Sequence, residues 1–166
     1  MSEEIKLSGI HDILSNIGNK LIQNQPLLKC LKYDSSDALS KPKLTSEEII
    51  ELVENEEKRR IYRSPFNKQV VDEARTELRV FFPEIIPQNI YLARLTVVFE
   101  IIVHESLWEL DNNKDRPLIM IGEILKELNG EQVGGIGKFY LIDSIKAQIF
   151  NADFTGYIFN MATRTD

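Results

Sequence analysis

The chain has 166 residues, 43% of them apolar and 28% charged, and its 20 basic and 26 acidic side chains give a net charge of −6. A chain of this size and composition can bury one core without a metal or a disulfide, and its single cysteine, Cys30, fits synthesis in a reducing cytoplasm. The longest apolar runs are far shorter than the roughly 20 residues that span a bilayer, and residues 1–4 are acidic, so we expect neither membrane insertion nor export.

Two helices are predicted near the start of the chain. Apolar residues recur every three or four positions from Ser8 to Gln25, which indicates one face of an amphipathic helix with Ser8 as its N-cap. Pro26 ends this helix and suits the first turn of a short second one. Residues 34–42 are predicted to form a loop.

A third helix is predicted to begin near Thr45. Thr45 and Glu48 have the spacing of a capping box, in which each side chain satisfies the backbone amide of the other residue. Acidic residues are concentrated at the start of this segment, and basic residues 58–60 lie at its end. This order complements the helix dipole. We interpret the segment as a solvated helix.

Two strands follow. The first is predicted over Arg75 to Phe82, where apolar and charged residues alternate before Pro83 and Pro87. A helix is the alternative here, since its spacing is also fitted by Val70, Val71, Ala74 and Leu78. The second runs from Tyr91 to His104 and is the clearest element of the sequence. On one side it carries an unbroken apolar row, made of Tyr91, Ala93, Leu95, Val97, Phe99, Ile101 and Val103. On the other side it carries a mixed row, made of Leu92, Arg94, Thr96, Val98, Glu100, Ile102 and His104.

The apolar row is predicted to face the core, and two interpretations of the mixed row stay open. Its combination of apolar and charged residues suits a contact between subunits, with Arg94, Glu100, Ile102 and His104 as the candidate interface residues. Alternatively, a helix of the same protomer covers this row.

The remaining elements are a helix and two strands. A polar loop at residues 111–115 precedes a helix that begins at Arg116 and ends at Asn129-Gly130. Its predicted apolar stripe is Leu118, Ile121, Leu125 and Leu128. After a glycine-rich loop, strands are predicted over Phe139 to Phe150 and Phe154 to Thr163, joined by a turn at residues 151–153.

The order of these elements predicts an α+β fold in a single domain spanning residues 1–166. Residues 1–60 form the helical part and residues 61–166 a β-β-α-β-β part. We expect a mainly antiparallel four-stranded sheet with helices packed on one face.

No sequence pattern favours an enzyme. An HExxH zinc motif needs a second histidine one turn after the first, but position 108 is Trp, and His104 and Glu105 point to opposite faces if both lie in a strand. Cys30 has no nearby catalytic partner, and the glycines before Phe139 precede a strand rather than a helix N-terminus. Glu56-Glu57-Lys58 has the spacing of a nuclease E-x-K motif, but in a helical pattern. We therefore predict no catalytic residues, no metal and no cofactor.

Five local features resemble one family of proteins. They are Arg60-Ile61-Tyr62 with Pro65-Phe66, the strand end Ile101-Ile102-Val103-His104, the helix start Asp115-Arg116, the segment Gly135-Ile136-Gly137-Lys138-Phe139 and the strand start Phe154-Thr155-Gly156-Tyr157. Over about two-thirds of its length, from Arg60 onward, the chain resembles the tail terminator and neck (tail completion, head–tail connector) proteins of long-tailed bacteriophages.

This resemblance implies a non-enzymatic structural protein of the virion, synthesised in the host cytoplasm. It implies a ring of identical copies, a hexamer, at the neck, with the tail tube protein and the head connector as partners. DNA would only pass through the lumen, and an acidic lumen would not retain its phosphates. The alternatives are a small metal-dependent hydrolase or nuclease, whose acidic residues meet only in three dimensions, and a host-encoded protein-binding module.

Overall fold

The computed structural model describes residues 9–65, 73–87, 93–133 and 137–163. In these ranges the chain forms four α-helices and a mostly antiparallel sheet in one α+β domain, as predicted. None of the described helices is long and apolar enough to cross a membrane.

The helices are close to the predicted segments. Their bounds are α1 Ile10–Leu21, α2 Gln25–Lys32, α3 Ser46–Glu54 and α4 Arg116–Leu128. Gly9, not Ser8, occupies the N-cap position of α1, and Ser8 lies outside the described residues. Asn24 caps α2 by accepting a hydrogen bond from the amide of Leu27.

The capping box of α3 is confirmed. The Thr45 hydroxyl accepts from the Glu48 amide, and the Glu48 carboxylate accepts from the Thr45 amide. The prediction that residues 58–60 end this helix is wrong, because α3 stops at Glu54. Asn55 starts a turn there, in which its side-chain oxygen accepts from two of the following amides.

The sheet has seven strands, with a separate two-stranded ribbon. The strands are β1 Ile61–Tyr62, β2 Thr76–Phe81, β3 Ile85–Pro87, β4 Ala93–His104, β5 Glu109–Leu110, β6 Lys114–Asp115, β7 Phe139–Leu141, β8 Lys146–Ile149 and β9 Phe154–Thr163. The main path is β1-β2-β4-β9-β7, in which only β1 and β2 run parallel. In addition β3 pairs with β4 and β8 with β9, while β5 and β6 form the ribbon.

Three strand predictions need correction. The segment from Phe139 to Phe150 is two strands, because Asp143 and Ser144 turn the chain and the Ser144 amide bonds the Asp143 carboxylate. The prediction of a loop over residues 111–115 missed the ribbon, whose turn is made by Asn112 and Asn113 in the left-handed region. The sheet has seven strands rather than the predicted four, and the predicted strand segments lie within it; Tyr91 and Leu92 lie outside the described residues.

The predicted core face of β4 is confirmed from Leu95 to Val103, while Tyr91 and the side chain of Ala93 lie outside what the structure describes. Leu95, Val97, Phe99, Ile101 and Val103 are each at most 1% exposed and belong to one apolar cluster with the buried faces of the helices. In α4 this buried face does not include Leu118, which is 48% exposed. The buried apolar residues of α4 are Pro117, Met120, Ile121, Ile124 and Leu128.

One buried arginine joins the helical part to the sheet part. Arg116, the first residue of α4, is 0% exposed, and its guanidinium donates hydrogen bonds of 2.7–2.9 Å to four backbone carbonyl oxygens. The acceptors are Leu107, Cys30, Tyr33 and Ser35. Because Cys30 and Tyr33 lie at the end of α2, the charge also opposes the negative end of that helix dipole.

Candidate functional site

The mixed row of β4 lies beside a buried cluster of charged residues on and next to β2. Across the two strands, Arg79 lies opposite Glu100 and Glu77 lies opposite Ile102. Arg75, Glu77 and Arg79 are each at most 4% exposed. Charged side chains are rarely this buried unless they are paired, so this cluster is a candidate functional site.

The charges of the cluster bind one another. Arg75 Nε donates to Glu77 Oε1 at 2.7 Å, and Arg79 Nη2 donates to Glu77 Oε2 at 3.0 Å. Arg75 also donates to the hydroxyl of Tyr62 at 2.7 Å. Both oxygens of Glu77 therefore accept hydrogen bonds, and the network links Tyr62 of β1 to the charged residues of β2.

Glu100 and Ile102 are two residues of the mixed row with little exposed surface. The Glu100 side chain is 17% exposed, with Oε2 4.0 Å from Arg79 Nη1, and Ile102 is 1% exposed. Arg94 lies opposite Ile86 of β3, and its side chain is outside the described residues. A subunit contact through this row stays a prediction. Among its described side chains, Val98 and Ile102 are buried and Thr96, Glu100 and His104 are half-buried.

His104, the fourth candidate interface residue, has a local structural role. Its Nδ1 accepts a hydrogen bond from the Ser106 amide at 3.2 Å, which caps the 3-10 turn Glu105–Leu107. Its ring packs edge-on against Phe154, with 5.0 Å between ring centres. Glu105 belongs to the turn rather than to β4, so our premise that both residues of the pair lie in a strand is wrong.

Glu100 gives a pH-dependent prediction. Burial raises the pKa of its carboxyl above the ordinary value, and Arg79 only partly offsets this. The folded chain therefore holds the proton more tightly than the unfolded chain, so the contribution of Glu100 to stability is greatest at acid pH and is lost as pH rises through the folded pKa. We expect Glu100→Gln to melt at a higher temperature than the wild type at pH 7, and the difference to shrink toward about pH 4.

Thermal denaturation followed by circular dichroism between about pH 4 and pH 8 measures this difference. A lower melting temperature for Glu100→Gln at pH 7 would mean that the pair with Arg79 stabilises more than burial costs. Glu100→Arg should lose about 3 kcal/mol or more, because it places a second cation beside Arg79. Glu131→Arg, at an exposed position, is the control and should change stability by less than about 0.5 kcal/mol.

Exposed apolar residues lie at the two lateral ends of the sheet. Six large apolar residues of the described ranges are exposed, and four of them belong to these ends: Ile85 (42%), Ile86 (45%), Ile142 (38%) and Ile149 (75%). Ile85 and Ile86 lie in β3, next to β4, whereas Ile142 follows β7 and Ile149 ends β8. Exposed apolar residues on or beside edge strands make these two ends candidate contact surfaces.

These four residues are not among the interface residues predicted from the sequence. Ile149 lies within the single strand predicted over Phe139 to Phe150, and Pro83 and Pro87 predict only the end of a strand. A short apolar segment between two prolines is typical of an edge strand, because proline cannot donate to a neighbouring strand. That signal is present in the sequence at Ile85 and Ile86.

Cys30, the segment Glu56-Glu57-Lys58 and the glycines before Phe139 are the remaining residues with a possible catalytic pattern. In the described ranges no group of three or more His, Cys, Asp and Glu residues could hold a metal ion. Cys30 is buried, and burial raises the pKa of its thiol to about 11, so it is a poor nucleophile. Glu56-Glu57-Lys58 forms a turn rather than the predicted helix, and Gly134 and Gly135 lie outside the described residues. The absence of catalysis stays a prediction.

One comparison with known proteins gives a match. A family model described as YomW matches residues 24–163, which cover α2 to β9. No curated protein and no solved structure matches the chain.

Proposed function

We propose that the chain, which belongs to the YomW family, is a structural virion protein of a long-tailed bacteriophage. In this proposal identical copies close into a hexameric ring at the neck. The ring terminates the tail tube, joins it to the head connector and lets DNA pass. The family name suggests a protein of a phage region, which supports a phage origin for the chain and does not bear on its place in the virion.

The observation that carries the proposal is the exposed end of the sheet at β8. All four residues of β8 are exposed, the strand pairs only with β9 among the described strands, and Ile149 is 75% exposed. An edge strand with a large apolar residue in water is a site for association, and soluble monomers normally protect such edges. In an assembly protein, an open edge at β8 would allow another chain to bind there.

The charge of the chain also supports the proposal. The net charge is −6, and the buried arginines of the charged cluster are paired with Glu77 and are therefore not available to bind phosphate. A ring with an acidic lumen would let DNA through without retaining it.

The test is the effect of Ile149→Asp on assembly. We expect the variant to fold normally and to associate at least about 30-fold more weakly than the wild type, the effect of losing a contact of about 2 kcal/mol. Native mass spectrometry at increasing concentration measures self-association, and electron microscopy of tail tubes mixed with the protein measures capping.

The matched control is Ile50→Asp. Ile50 is 55% exposed on α3 and belongs to neither β3 nor β8, so this change should leave assembly intact. A wild-type protein that stays monomeric and also fails to cap tail tubes would contradict the proposal. Metal-dependent cleavage of DNA that is lost on replacing one acidic residue would favour the nuclease alternative.

A further inference from the structure

An open groove lies on the surface where β4 ends. Its volume is about 440 Å³, and its walls are Glu105, Ser106, Trp108, Glu109 and Thr155. These residues belong neither to the buried charged cluster nor to the interface residues predicted from the sequence. We name this surface the Trp108 groove.

The inner side of the Trp108 groove is aromatic and apolar. The Trp108 indole is half-buried, and its ring centre lies 6.0 Å from that of Tyr157, which packs against the apolar core. Thr155 lies two positions before Tyr157, so both face the same side of β9. Ile149 of β8, which is 75% exposed, lies directly opposite Thr155 and therefore borders the groove.

The outer side of the Trp108 groove carries two carboxylates. Glu105 and Glu109 are exposed, and neither forms an ion pair with another described residue. Lys114 of the ribbon lies opposite Leu110 rather than Glu109, so its side chain is on the other face of the ribbon. The charge of Glu105 and Glu109 is therefore available to a ligand.

The nearest histidine does not supply the missing positive charge. His104 contacts the groove residue Ser106, whose amide donates to His104 Nδ1 at 3.2 Å. A ring nitrogen that accepts a hydrogen bond carries no proton, so the imidazole is neutral in this arrangement.

Backbone hydrogen bonds fix the segment that forms the groove. The Glu105 amide donates to the Asp153 carbonyl at 2.9 Å, and the Trp108 amide donates to the Glu105 carbonyl at 3.2 Å. Arg116 donates from its amide to the Trp108 carbonyl at 2.8 Å and from Nε to the Leu107 carbonyl at 2.7 Å. Binding in the groove therefore needs little ordering of the backbone.

We propose that the Trp108 groove binds an arginine side chain of a partner protein, together with an apolar residue next to that arginine. The guanidinium lies against the exposed part of the indole and donates to the carboxylates of Glu105 and Glu109, while the apolar neighbour covers Ile149. Arginine fits better than lysine, because its planar group stacks on aromatic rings and can donate to two carboxylates at once.

Other classes of ligand fit this groove less well. Its carboxylates repel phosphates and other anions. In the described ranges no group of three or more His, Cys, Asp and Glu residues could hold a metal ion. The inference goes beyond the proposed ring, since it names a binding chemistry that does not depend on how many copies assemble.

Trp108 itself reports on binding, because it is the only tryptophan of the chain. The probe is the blocked tripeptide acetyl-Leu-Arg-Leu-amide, titrated into the full chain while the indole N–H signal is followed by NMR spectroscopy. The neutral match is acetyl-Leu-Gln-Leu-amide. We expect the arginine peptide to shift the indole signal with a dissociation constant of about 1 mM, and the glutamine peptide to bind at least about 10-fold more weakly.

Replacing both carboxylates tests their part in binding. Glu105→Gln combined with Glu109→Gln should weaken binding of the arginine peptide at least about 10-fold and abolish its advantage over the glutamine peptide. The matched control is Glu54→Gln combined with Glu56→Gln. These two exposed residues lie outside the groove, and their replacement makes the same change in net charge, so binding should not change.

Three results would overturn the inference. Equal binding of the two peptides would mean that the groove takes apolar side chains without regard to charge. Equal weakening in the two double variants would mean that the net charge of the chain attracts the peptide. An indole signal that does not move at about 10 mM arginine peptide would mean that the groove is not a binding site. None of these results bears on the ring, which native mass spectrometry tests separately.

Discussion

Arg116→Met is expected to lower the free energy of unfolding by roughly 3–5 kcal/mol. Methionine can fill most of the volume but cannot donate, so four carbonyl oxygens lose a hydrogen bond within the protein. The end of α2 would also lose the cation that opposes its dipole. Urea denaturation followed by circular dichroism measures the loss.

Two further variants separate this effect from a general sensitivity to losing an arginine. Arg116→Lys keeps the charge but has a compact ammonium group that cannot reach four acceptors in one plane, so it should lie between the wild type and Arg116→Met. Arg63→Met removes an exposed arginine that donates only to Ser15 among the described contacts, and it should cost less than about 0.5 kcal/mol. Equal losses from the methionine variants at 63 and 116 would show that the buried hydrogen bonds of Arg116 do not stabilise the fold.

Gly156→Ala is expected to prevent the sheet from forming in its present register. Gly156 lies between Ile102 of β4 and Gln148 of β8, and a Cβ atom at this position would overlap the carbonyl oxygen of Ile101. Backbone atoms on a central strand cannot move aside without breaking neighbouring hydrogen bonds, so we expect a loss of at least about 3 kcal/mol and a large insoluble fraction.

The same substitution in a helix should have the opposite sign. Gly122 lies in α4, and an added Cβ atom there would meet nothing within 4 Å. Gly122→Ala should therefore raise the stability by up to about 1 kcal/mol, because alanine favours the helix and restricts the unfolded chain. Thermal melting of the two alanine variants side by side tests this contrast. A soluble Gly156→Ala protein with an unchanged melting temperature would mean that β4 and β9 are not packed this closely.

Local patterns predicted most of the elements of this fold. Three of these patterns depend only on neighbours within a few residues, so the sequence alone could reveal them. They are the capping box at Thr45, Pro26 in the first turn of α2 and the alternation from Leu95 to Val103. For the same reason α1 to α4, β4 and β9 were expected close to where they lie.

Long-range partners were not predictable in the same way. Glu77 and Arg79 have the pattern of a wet strand face. They pair with each other only two positions apart, but nothing near them in the sequence indicates that both are at most 4% exposed. Nothing near Arg116 in the sequence indicates its acceptors, three of which lie more than 80 positions away. The candidate interface at the sheet ends was missed for a related reason, since exposure of Ile149 depends on which strands occupy the edge.

The position of β9 has a consequence for how the chain folds. β9 is made after every other described element, yet it lies in the middle of the sheet, where it pairs with β4, β7 and β8. About 50 residues separate the end of β4 from the start of β9. Pairing of β4 with β9 must therefore close a long loop before contacts between the two strands stabilise it. During synthesis, the apolar side of β4 and the helices that cover it can meet early. The half of the sheet beyond β4 stays open until residues 154–163 have emerged, and until then β4 is an unprotected edge that can pair with another chain.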